Sequence, residues 1–148
     1  MGTAEWECKG EECRAAWSLY VELVTRVAIE PLGDEKGLLR EALSSLYSLF
    51  ASTRQILREA GPDVGASSKS VGGIAIGVLN RGLRPFLAEW HPRLVNWESQ
   101  RAAETCPKEH EDHWPDAPKL RQALHELQSE LQKYARALEV IVGLEPQV

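Results

Sequence analysis

The chain has 148 residues, 43% of them hydrophobic and 26% charged, with a net charge of −5. That suits one domain, 1–148, built on a single core, and it excludes wholesale disorder. The acidic balance argues against nucleic acid or an anionic membrane surface as partner, since both select cations. The longest apolar run, 74–79, contains Gly77 and is too short to insert in a bilayer.

The opening MGTAEWECKGEE is acidic and has no apolar leader stretch. Residues 1–10 therefore read as a flexible N-terminal segment, and the protein as cytoplasmic. The 3 cysteines, Cys8, Cys13 and Cys106, are expected to be reduced thiols, because an odd, small number does not make a disulfide framework.

Four amphipathic helices follow in chain order. In the first, Cys13, Trp17, Tyr20, Val24 and Val27 recur at spacings of four and three, and Pro31 and Gly33 end it. Asp34 is placed to cap the second, whose stripe is Leu39, Leu43, Leu46, Phe50, Thr53, Leu57 and Ala60. Gly61 and Pro62 close it. After a Gly/Ser-rich loop the third helix runs from Gly73 to Glu104. A charged linker, Thr105–Pro118, leads to the fourth, capped by Asp116. Its stripe is Leu120, Leu124, Leu127, Leu131, Tyr134, Leu138 and Ile141.

No alternating β pattern competes. Short connections favour antiparallel neighbours, so the expected fold is an all-α, up-down-up-down four-helix bundle with a long, proline-bent third helix. In that helix Ile76, Leu83, Trp90 and Trp97 are spaced by seven, with Asn80, Leu87 and Leu94 between them. Asn80 is then a polar seam residue that fixes register. Pro85 and Pro92 share an outward face and are expected to bend the helix without breaking its phase; a break near 82–85 is the alternative. Gly73, Gly77 and Gly82 read as close-packing positions.

Few residues carry chemistry. Cys106, His110 and His113 in CPKEHEDHWPD are ligand types for zinc, at a spacing that matches no standard finger. Asn80, Arg84 and His91 lie along one helix at the seam edge and form the candidate ligand-binding set. GASSKS lacks the second glycine and the preceding strand of a phosphate loop. No E-x-x-H pair supports a di-metal bundle core. Trp17, Trp90 and Trp97 fall in stripes and read as core. Trp6 and Trp114 fall in polar segments and read as interface anchors. No catalytic residue set is evident.

The segment LNRGLRPFLAEWHPRLVNWE resembles helical modules of uncharacterised bacterial proteins, some encoded near defence or conflict genes. Leu79, Asn80, Leu83, Arg84, Pro85, Phe86, Leu87, Trp90, His91, Pro92, Leu94, Trp97 and Glu98 carry the resemblance. It implies a bacterial sensing or adaptor role and transfers no catalytic residue. The expected function is a non-enzymatic interaction or sensing module that binds a protein partner or itself. The alternatives are a metal-binding protein or hydrolase using the Cys106/His110/His113 linker, and a small-molecule-binding bundle around Asn80, Arg84 and His91.

Overall fold

A computed structural model describes residues 10–26, 37–65 and 69–144. The described residues are helical and contain no strand: α1 (Gly10–Val24), α2 (Leu39–Ala60), a 3₁₀ turn (Pro62–Gly65), α3 (Val71–Gly77), a π-helical turn (Val78–Leu83), α4 (Arg84–Glu98), α5 (Pro107–Asp112) and α6 (Ala117–Val142). No helix among them is long and apolar enough to cross a membrane.

The core is leucine. Leu39, Leu43, Leu46, Leu83, Leu94, Leu120, Leu131 and Leu138 are its largest fully buried side chains. Each contributes about 1.5–3 kcal/mol relative to exposure. The expected stripes of α2 and α6 face it, although Gln128 and Ala135 lie deeper than Leu127 and Tyr134. In α1 the buried face is Ala15, Ala16, Leu19, Tyr20 and Leu23, one step round from the expected stripe. Trp17 is therefore not core: it is 50% exposed and stacks on Tyr20 at 6.0 Å. Tyr20 donates to Glu139 of α6 at 3.0 Å in the interior. Burial, with that carboxylate beside it, pushes the Tyr20 phenol above its usual range.

Cross-links tie the elements together, and those between α2 and α4 run in opposite chain directions. Arg26, just past α1, donates to Ser48 and Ser52 of α2. Arg40 of α2 pairs with Glu98 of α4, while Tyr47 meets His91. Arg93 of α4 reaches Asp116 at the start of α6, 3.0 Å away. Arg40 titrates above its ordinary value, chiefly because its guanidinium hydrogen bonds Glu98.

The third rod departs from expectation in its phase. Its buried side chains are Val71, Ala75, Leu79, Leu83, Leu87, Trp90 and Leu94. The first four steps are all of four residues, and in an α-helix each overshoots a full turn by about 40°. The π turn takes up the excess: the Arg84 amide bonds the Leu79 carbonyl five residues back. The turn lies directly before Pro85, opening the spacing where the ring would otherwise press on the preceding turn. The apolar rhythm thus does not keep phase across the proline. Ile76 and Asn80 are exposed, so Asn80 is not a seam residue and cannot set register. Pro92 sits inside α4 without such a break. A Cβ on Gly72 would approach the Val64 carbonyl oxygen to 2.7 Å, whereas one on Gly82 would meet nothing within 4 Å; the close approach is one residue from the expected Gly73.

The third helix ends at Glu98, not Glu104, and the linker holds α5. Glu111 of α5 is buried, and its carboxylate accepts from Leu39 N–H at 2.7 Å and Arg40 N–H at 3.4 Å. It satisfies the free donors at the start of α2, which has no side-chain cap of its own. The expected cap, Asp34, lies outside the described residues. Asp116 makes no capping bond to α6; its carboxylate is held by Arg93. Cys106 is free, but Cys13 is disulfide-bonded, which corrects the expectation of reduced thiols. Cys8 lies outside the described residues.

Two variants test the π turn. Removing exposed Arg81 returns the rod to α spacing and leaves Pro85 inside an unbroken helix, at a cost of about 3 kcal/mol. Removing Arg81 together with Pro85→Ala is expected to recover most of that loss in urea denaturation. Equal instability of the two variants would show that the turn does not serve the proline.

Candidate functional site

One groove gathers polar and aromatic side chains on the outer side of the α2–α4 pair. It is lined by Tyr47, Phe50, Arg54, Arg84, Leu87, Ala88, His91 and Pro92. On α2, Phe50 and Arg54 are one turn apart, and Tyr47 lies nearly a turn before Phe50. On α4, Arg84, Ala88 and His91 repeat at four and three, so they form one strip. The antiparallel run of the two helices sets Arg54 against Arg84 at one end and Tyr47 against His91 at the other.

The chemistry of the two ends differs. The guanidinium carbons of Arg54 and Arg84 lie 5.7 and 5.5 Å from the centre of the Phe50 ring. Both are cation–π contacts, each contributing about 0.5–1 kcal/mol at an exposed site. Asn80 Oδ1 accepts from Arg84 Nε and Nη2, each at 3.3 Å. At the far end the Tyr47 and His91 rings are 6.0 Å apart. Tyr47 is 62% exposed, and His91 Nδ1 has no hydrogen-bond partner.

The candidate ligand set is therefore brought together in part. Arg84 and His91 line the groove. Asn80 does not line it but steadies Arg84 from one turn away. Tyr47, Phe50 and Arg54 were not singled out from the sequence as site residues. The available signal was Phe50 followed by Arg54 one turn later, at the edge of an apolar stripe.

The linker residues are engaged locally. Cys106 Sγ accepts from Glu109 N–H at 3.4 Å and caps α5. His110 stacks on Trp97 with ring centres 4.5 Å apart. Its Nε2–H donates to the Trp97 carbonyl at 2.6 Å, and Trp97 Nε1–H donates to the His110 carbonyl at 2.8 Å. His113 Nδ1–H donates to the Glu109 carbonyl at 2.8 Å. Among the described residues, no group of three or more His, Cys, Asp or Glu is placed to hold a metal ion. A second concave surface, lined by residues including Arg40, Trp97, Glu98, Arg101, His110 and Glu111, lies at this end. Arg40 and Glu98 pair with each other there, Glu111 caps α2, and Arg101 donates to the Thr105 carbonyl, so these groups are engaged locally.

Trp114 is not an exposed anchor. It is 6% exposed and meets Trp90 edge-on at 6.3 Å and 86°, an arrangement favoured by the ring quadrupoles. Its polar neighbours in sequence sit on a short turn that folds the indole inward. Trp6 lies outside the described residues. Comparison with known protein families, curated proteins and solved structures returns no match for this chain.

Trp114→Ala is expected to lower stability by about 3–5 kcal/mol, the range for removing a buried aromatic. Chemical denaturation measures it. A change under about 0.5 kcal/mol would return Trp114 to the surface.

Proposed function

We propose that the chain is a non-enzymatic helical interaction module that binds a protein partner through the α2–α4 groove. The antiparallel cross-links support reading its helices as an up-down-up-down four-helix bundle, with α3, the π turn and α4 as one long third member. One observation carries the functional reading: exposed Tyr47, two arginines and His91 converge on one concave strip between rigid helices. Tyrosine and arginine are the side chains that most often dominate binding energy at protein interfaces, because each combines large contact area with a polar end.

The alternative with Cys106, His110 and His113 as metal ligands has no such observation behind it. The small-molecule alternative shares Arg84 and His91 with the groove, but a strip open along its length suits a partner's side chains better than an enclosed ligand. The resemblance to bacterial modules is consistent with an adaptor role. The Cys13 disulfide weighs against a cytoplasmic setting, where glutathione keeps thiols reduced.

Site-specific photo-crosslinking in the native cells tests the reading. A photoreactive phenylalanine at position 47 is expected to give a discrete higher-mass adduct. The same residue at position 140, where Val140 is 76% exposed on α6, is expected to give none. Adducts at 140 but not at 47 would place the binding surface elsewhere.

A further inference from the structure

The groove concentrates two arginines that stand outside the chain's charge pairing. Carboxylates outnumber cations, 22 to 17, and several arginines near helix ends pair with them. Arg26 pairs with Glu22, Arg40 with Glu98, and Arg93 with Glu89 and Asp116. Arg54 and Arg84 have no ion-pair partner among the described residues, and no carboxylate lines the groove they share. Two like charges over one aromatic ring repel each other, and the ring offsets only part of that cost. Asn80 holds Arg84 in place with a neutral acceptor. The result is a fixed cationic end on an acidic protein.

We propose that this groove holds an acidic segment of a protein partner, a conclusion that rests on the interaction-module reading. A side-chain carboxylate of the partner seats between Arg54 and Arg84, where it accepts charge-assisted hydrogen bonds. An apolar side chain further along seats against Tyr47, Leu87 and Pro92. Arg54 and Tyr47 are seven residues apart on α2, or about 10 Å along the helix. An extended chain covers that distance in about three residues. The recognised pattern is thus an acid followed or preceded at three residues by an apolar residue, in polyproline II conformation, whose three-residue turn brings both side chains to one face.

The test uses the full chain, labelled with nitrogen-15, and two capped octapeptides. One is Gly-Ser-Glu-Ala-Ala-Leu-Ser-Gly; the other carries Gln in place of Glu. The Glu peptide is expected to shift the signals of Tyr47, Arg54, Arg84 and His91, and to bind about tenfold more tightly than the Gln peptide. Raising the salt, Arg54→Ala or Arg84→Ala is expected to abolish that tenfold preference while the circular dichroism spectrum stays unchanged. Equal binding of both peptides would overturn the carboxylate clamp and leave the groove as an apolar docking strip. No groove shift with either peptide, with the adduct at position 47 present, would overturn the acidic segment alone. Neither shift nor adduct would overturn the interaction reading as well. Groove shifts that follow protein concentration without peptide would make a second copy the occupant and overturn the proposal.

Discussion

The bond from the Arg84 amide to the Leu79 carbonyl sets the geometry of everything that follows it. It spans five residues where an α-helix spans four, so it adds one residue to the turn. Without it, a helix that buries Val71, Ala75 and Leu79 would carry Leu83 and Leu87 progressively out of the core. With it, both halves of the rod keep their leucines inside. Asn80 and Arg84 lie on the outer face of this turn, one turn apart and hydrogen bonded.

The opposite end is governed by a buried charge. A carboxylate removed from water costs several kcal/mol unless it is paired or hydrogen bonded. Glu111 is bonded to the first amides of α2, with Arg121 3.9 Å away. Each partner solves the other's problem, because the start of α2 also lacks acceptors of its own. The Trp97–His110 stack and the Arg40–Glu98 pair hold α5 and α4 against the same helix end. Cys106, His110 and His113 thereby spend their polar atoms on fastening the linker.

The helices themselves were legible wherever local period and packing agree. The stripes of α2 and α6 follow α periodicity, so counting by three and four finds their inner faces. In α1 the eye follows Cys13, Trp17 and Val24, but the helix turns Ala15 and Ala16 inward, where small side chains admit a close neighbour. In the third rod the fours from Val71 to Leu87 were present in the sequence. A heptad count through Ile76 and Asn80 fits the same letters, and what separates the two is the burial of Val71, Ala75 and Leu79 with Ile76 and Asn80 exposed. Arg84 and His91 were found because they share a helix edge. Tyr47 and Arg54 were not, because their meaning depends on which helix lies beside α2. Trp114 misled for the same reason: polar neighbours in sequence do not reveal a turn that folds the ring inward.

The most direct measurement is a through-hydrogen-bond nitrogen–carbon coupling experiment on the deuterated, doubly labelled chain. A correlation from the Arg84 amide nitrogen to the Leu79 carbonyl carbon is the predicted result. A correlation from Arg84 to the Asn80 carbonyl instead would make the rod an uninterrupted α-helix. It would return Asn80 toward the seam and remove the account of how both halves of the rod keep their leucines inside.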